Sequence, residues 1–150
     1  MKNSSKESSE TMKILVAEEN QEACSALEEL LNVLGHSVMV TQDGEDALYM
    51  FHETIPDLVF SGLTLPKLGG MELLREVKSG SGKTLFVMIC PMSDPEKIQQ
   101  ALKKGAADFL TRPIQSRELI RSLDRLVNLK KGFITSPRVN ETTPNLKTMN

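Results

Sequence analysis

The sequence carries no strong excess of either charge. Its 18 Lys and Arg against 20 Asp and Glu leave a net −2, so no global polycation argues for nucleic acid or for an anionic membrane. Long apolar runs are also missing. The longest, Leu85 to Cys90, is far too short to span a bilayer. The opening MKNSSKESSE has no apolar stretch of the kind a secretory signal needs. Cysteine is scarce: Cys24 and Cys90 form neither a metal-like nor a disulfide-like spacing, and two free thiols fit a reducing compartment. No Gly-rich phosphate loop follows the first apolar run, and no helix-turn-helix pattern is present. These absences leave a soluble, cytoplasmic single domain as the expectation, and 150 residues suffice for one real core plus tails.

What is present is an alternation. Apolar runs occur at KILVA (13–17), SVMV (37–40), DLVFS (57–61), TLFVMIC (84–90) and ADFL (107–110). They are continuous, as expected of parallel strands buried on both faces. Between them lie helical periods. Ala23, Leu27, Leu30, Leu31 and Leu34 share one face, and Gly35 is a good residue to end that helix. Ala47, Leu48 and Phe51 mark the second helix, and Leu73, Leu74 and Val77 the third. Ile98, Ala101 and Leu102 mark the fourth, stopped by Gly105; Leu119, Ile120, Leu123, Leu126 and Val127 mark the fifth. Five βα units between residues 12 and 131 predict an α/β fold, a doubly wound parallel sheet with helices on both faces. Residues 1–11 read as a disordered tail and 132–150 as a flexible tail or linker. In such sheets the working site lies beyond the C-terminal strand ends. The residues to inspect there are Glu18, Glu19, Gly62, Cys90 and the segment Thr111 to Pro113.

Those strand ends carry a recognisable pattern. KILVAEEN resembles the opening of response-regulator receiver domains, an apolar strand followed by paired acids. TQDGEDAL is similar to their second βα turn, and PDLVFSGLTLPKLGGMELL to their phosphoacceptor strand and loop, with Pro66 and Gly70 at the expected spacing. LFVMICPMSD and ALKKGAADFLTRPI resemble the fourth and fifth strand ends. The resemblance runs from about residue 12 to 130. It implies a CheY-like, flavodoxin-like sheet of order 2-1-3-4-5, a non-enzymatic signalling role in a two-component phosphorelay, and a histidine kinase or downstream effector as partner. It further implies an aspartate acceptor at the end of the third strand, a metal-binding acid pair, a hydroxyl after the fourth strand, a lysine after the fifth and a switch aromatic. The matching positions here hold Gly62, the pair Glu18 and Glu19, Cys90, Arg112 and Phe109.

Each departure has a chemical meaning. Phosphoryl capture needs a nucleophilic oxygen in line with phosphorus, and Gly62 has none. Ser61 points to the opposite face by the period of two, and Thr64 is the nearest substitute acceptor. Mg²⁺ demands near-octahedral oxygen ligands. With one ligand lost and two glutamates longer than aspartates, its binding is expected to be weak or absent, leaving two solvent-screened acids. Two carboxylates about 4 Å apart repel by roughly 4 kcal/mol at an effective dielectric near 20, and a guanidinium offsets this. Arg112 is therefore expected to pair with Glu18 or Glu19 where metal and phosphate would sit. Cys90 offers only a weak donor, with a redox-sensor role as its less favoured reading. Cys24 is expected to pack in the core. The Arg112-Pro113 step resembles one that is commonly cis in the family.

On the surface, Arg117, Arg121 and Arg125 recur every four residues, and Lys103 and Lys104 end the fourth helix. The resemblance makes the fourth helix, fifth strand and fifth helix a partner or homodimer face. The resulting expectation is a receiver that acts by protein contacts without phosphate. The alternatives are phosphotransfer through a substitute such as Thr64, or an anion or small-ligand site in the same crevice.

Overall fold

The structure, a computed structural model, describes residues 11–91 and 94–132; the tails expected at either end lie outside these apart from Thr11 and Gly132. Five strands alternate with five helices: β1 (Lys13–Ala17), α1 (Gln21–Val33), β2 (Ser37–Thr41), α2 (Gly44–Thr54), β3 (Leu58–Gly62), α3 (Gly70–Gly80), β4 (Leu85–Cys90), α4 (Pro95–Lys103), β5 (Asp108–Thr111) and α5 (Ser116–Lys131). The strands pair in parallel in the order β2-β1-β3-β4-β5. The order reverses between β1 and β3, so their C-terminal ends open the crevice where such sheets place their sites.

Strand alternation divides the core into two layers. Leu15, Val59, Phe86 and Met88 point to one face, where Ala47 and Phe51 of α2, Leu73 and Val77 of α3, and Ile98 of α4 cover them. Ile14, Val16, Phe60 and Ile89 point to the other, under Leu27 and Leu31 of α1 and Leu119, Leu123 and Leu126 of α5. All five residues of β3 are buried; helices cover both of its faces, which is why Leu58, Val59 and Phe60 form an unbroken apolar run.

Two helical assignments differ from the sequence reading. Leu34 is 38% exposed and caps α1, whose buried stripe is Cys24, Leu27 and Leu31. Ile120 is 45% exposed, and its place on the inner face of α5 is taken by Ser122. The Ser122 hydroxyl donates to buried Asp108 at 2.7 Å, so a small polar residue satisfies a strand carboxylate there.

Side-chain caps start three helices. Asn20, Asp43 and Asp94 accept from the backbone N–H three residues on, at 2.8, 2.8 and 3.2 Å. Gly35 stands just past α1 at φ 96°, a left-handed position that glycine takes without strain.

The loop from β3 to α3 is held by close backbone packing. A Cβ on Gly70 would lie 2.2 Å from the Gly62 carbonyl oxygen, and one on Gly44 would lie 1.8 Å from that of Leu68. Gly44 N–H donates to the Pro66 carbonyl at 3.0 Å, and Gly70 N–H to that of Leu63 at 2.9 Å. The loop is thus pinned between the first turns of α2 and α3, and it holds Gly62 and Thr64 rigidly at the mouth of the crevice.

Candidate functional site

Glu18 is the first residue beyond β1, and its side chain is fully buried. The expectation of two solvent-screened acids therefore fails for this one. Its Oε1 accepts from Arg112 Nη2 at 2.5 Å, and its Oε2 accepts from the Asn20 backbone N–H at 3.0 Å. Charge and both oxygens are satisfied, the condition under which a buried carboxylate is tolerated. Glu19, one step along the pleat, stays partly open at 30% side-chain exposure and lies 3.6 Å from Arg112 Nη2. Its other oxygen accepts from the Thr64 hydroxyl at 3.0 Å.

Arg112 reaches this pair from the far side of the crevice. It follows β5, its backbone N–H donates to the Cys90 carbonyl at 3.1 Å, and a cis peptide joins it to Pro113. From the end of β5 the guanidinium turns inward toward Gly62 and Glu18.

Below the guanidinium is Gly62. A Cβ built there would lie 3.0 Å from Glu19 Oε1, 3.2 Å from Arg112 Nη2 and 3.4 Å from Glu18 Oε1. A side chain there would press on the ends of the ion-pair cluster, which would have to give by a few tenths of an ångström. Ser61 faces away, buried, with its hydroxyl donating to the Gly62 carbonyl at 2.9 Å.

The donor set suits a divalent cation poorly. Two carboxylates converge, but a guanidinium stands between them, and Gly62 contributes no third. Among the described residues no cluster of three or more His, Cys, Asp or Glu is arranged to hold a metal ion. Mg²⁺ would have to displace Arg112 to gain its oxygens.

Cys90 ends β4 with its side chain buried. Burial pushes its thiol pKa up, Asp94 adds to that, and Arg112 opposes both without prevailing. A protonated, inaccessible thiol is not a redox sensor, so that reading is set aside. Cys24 is buried on α1, and its thiol too is raised by burial, then by Glu18 and Glu28. Phe109 is half-buried and packs against the α2–α3–α4 layer. On the outer surface Lys103, Lys104, Arg117 and Arg121 are exposed and Arg125 is half-buried. Arg121 lies 3.7 Å from Glu118 one turn earlier.

Sequence reasoning missed two participants. Asn20 both caps α1 and holds Glu18 through its N–H; the run EENQEACSAL carries the capping signal. Thr64 was weighed as an acceptor but not as a partner of Glu19, and no local spacing signals that contact.

Residues 14–124 match the response regulator receiver domain family, and the chain belongs to it. It is thus a receiver domain of the kind found in two-component response regulators. Among curated relatives, the probable transcriptional regulator ycf27 of Guillardia theta is 30% identical over 119 residues, covering 77% of this chain and 46% of the relative. The transcriptional regulatory protein CpxR of Klebsiella pneumoniae is 32% identical over 108 residues, covering 72% and 46%. The chain thus spans less than half the length of these relatives. Among solved structures, a receiver domain protein from Clostridium thermocellum superposes with a TM-score of 0.76 at 27% identity, over 81% of this chain and 98% of that one. NtrX from Brucella abortus in complex with ADP gives 0.77 at 28%, over 81% of this chain and 28% of that one. Both agree with the CheY-like strand order. No helix among the described residues is long and apolar enough to cross a membrane.

Proposed function

We propose that this receiver signals without an aspartyl phosphate, through contacts with partner proteins such as a histidine kinase or a downstream effector. Arg112 then serves as a built-in counter-ion where other receivers would recruit a metal and a phosphoryl group. The observation that carries this reading is the crowding around Gly62, whose missing Cβ would meet Glu19, Arg112 and Glu18 within 3.4 Å. Gly62 offers an incoming phosphoryl group no nucleophile, and the group would have to move the side-chain ends of Glu19, Arg112 and Glu18 to approach it. Mg²⁺ binding is correspondingly weak or absent in this proposal.

The test is incubation with a small-molecule phosphodonor and Mg²⁺, followed by intact mass measurement. The expected product is the unmodified chain, and an added phosphoryl group overturns the proposal. One contact favours a second reading: the exposed Thr64 hydroxyl donates to the Glu19 carboxylate at 3.0 Å, an arrangement in which a base adjoins a possible nucleophile. An adduct that disappears in Thr64→Ala and survives hydroxylamine would support that reading.

A further inference from the structure

A pocket of about 430 Å³ lies between α3 and the end of α4, and it shares no residue with the Gly62 crevice. Met71, Glu72, Arg75, Lys78 and Ser79 line it from α3, and Lys104, the residue that caps α4, lines it from the other side. The α3 residues stand at i, i+1, i+4, i+7 and i+8, one stripe of the helix. A volume of this order suits a small-molecule ligand.

Three cations and one carboxylate line this pocket. Lys78 is half-buried. Its stem crosses Gly105, coming within 3.4 Å of where a Cβ would stand there, and its ammonium donates to the Thr84 carbonyl at 3.1 Å. That bond uses one of three protons, and Lys78 has no ion-pair partner among the described residues. Burial pushes its pKa down, and Lys130 adds to that. Lys104 is exposed and likewise unpaired among the described residues. Arg75 meets only Glu76, at 3.9 Å in an exposed contact, of a kind that contributes little. At the opposite end, Glu72 accepts from the Gly69 N–H at 3.3 Å through Oε1. Its other oxygen has no hydrogen-bond partner among the described residues. Glu72 and Lys78 stand six positions apart, about 9 Å along a helix axis.

We propose that this pocket binds a small sugar phosphate, with the phosphate among Arg75, Lys78 and Lys104 and the sugar hydroxyls donating to Glu72. The cations of the pocket exceed its carboxylate by two, which matches the charge of a phosphate monoester. Arg75 can meet two phosphate oxygens at once, and the two lysines act as point charges beside it. Bare phosphate leaves Glu72 facing an anion without a donor. A polyol body supplies that donor, so the sugar phosphate is favoured over the inorganic ion. Met71 offers the sugar carbons an apolar contact. The separation of the cationic and acidic ends is close to the length of a pentose or hexose monophosphate. Nothing in this site depends on the Gly62 crevice, so the proposal stands apart from whether the domain takes a phosphoryl group.

Amide chemical-shift titrations of the full 150-residue chain with ribose 5-phosphate, glucose 6-phosphate, glucose and inorganic phosphate test it. At least one sugar phosphate is expected to saturate, with shifts centred on α3 and Lys104. Inorganic phosphate is expected to bind at least about tenfold more weakly, and glucose not at all. Arg75→Glu/Lys104→Glu changes two exposed residues. It is expected to keep the wild-type thermal midpoint without ligand and to weaken sugar phosphate binding at least about tenfold. Glu72→Ala is expected to narrow the gap between sugar phosphate and inorganic phosphate. Arg117→Glu/Arg121→Glu, the same charge change on α5, is expected to bind like the wild type. The proposal is overturned if neither sugar phosphate saturates, or if the shifts centre on the Gly62 crevice. It is also overturned if inorganic phosphate binds as tightly, if the Arg75/Lys104 reversal leaves binding intact, or if the Arg117/Arg121 reversal weakens it equally.

Discussion

Arg112 holds a fully buried carboxylate while remaining about a quarter exposed itself. Removing one partner of a buried pair costs about 3–5 kcal/mol. Here Asn20 still donates to Glu18, and water reaches the arginine side. Arg112→Ala is therefore expected to cost less, about 1–3 kcal/mol in urea unfolding, and an unchanged midpoint would mean that the pair contributes nothing. Gly62→Asp is expected to remain unphosphorylated by a small phosphodonor, since its carboxylate would enter the space held by Glu19 and Arg112. Phosphorylation of that variant would show that only the acceptor had been lost. The thiols make a separate prediction about pH. Both are raised by burial, so unfolded chains ionise first as pH climbs through the ordinary thiol range near about 8.5. Above that range the unfolded state binds fewer protons, and stability falls as pH rises. Native protein should resist iodoacetamide at pH 8, and urea should expose both cysteines to it.

The elements around the crevice depend on backbone proximity more than on side chains. Gly44→Ala and Gly70→Ala would each push a methyl group to within 1.8 and 2.2 Å of a carbonyl oxygen. Neither carbonyl can move without shifting the loop, so each change is expected to destabilise by about 3 kcal/mol, seen as a lower thermal midpoint. Gly35→Ala meets nothing nearby; its smaller cost comes from the positive φ alone. At the start of α2, Asp43 caps the helix, and the Asp46 backbone N–H holds its pKa below the usual carboxylate value, with Lys67 assisting. A depressed folded pKa stabilises above the unfolded value, near about 3.9, and the gain is lost as pH falls through the folded pKa. Circular-dichroism melts between pH 5 and pH 2 should lose this increment in the wild type and lack it in Asp43→Asn. Aspartate before a helical period was readable as a cap signal. That Gly44 and Gly70 exist for close approach was not, because the carbonyls they admit belong to Leu68 and Gly62, reached only after folding.

Over the whole molecule, the inner strands β1, β3 and β4 were legible because they are covered on both faces, where burial leaves an unbroken apolar signature; the edge strand β2 is only half-buried. Helix faces were less so: an apolar residue such as Leu34 or Ile120 fits the period yet ends at the surface. The site was legible only through the order of strand ends, which aligns the residues just after β1 and β5 with the last residue of β3. Which acid would be buried was not, since Glu18 and Glu19 look equivalent until the pleat sends one inward, and the guanidinium that meets Glu18 is 94 residues away. The same closure bears on time. An acyl phosphate hydrolyses, so a receiver that carries one also carries a clock that ends its signal. Gly62 forms no such bond, and on the proposed reading the ion pair above it has nothing to hydrolyse. The lifetime of any message from this domain is then set outside the site, by how long a partner stays bound and how much of the protein is present.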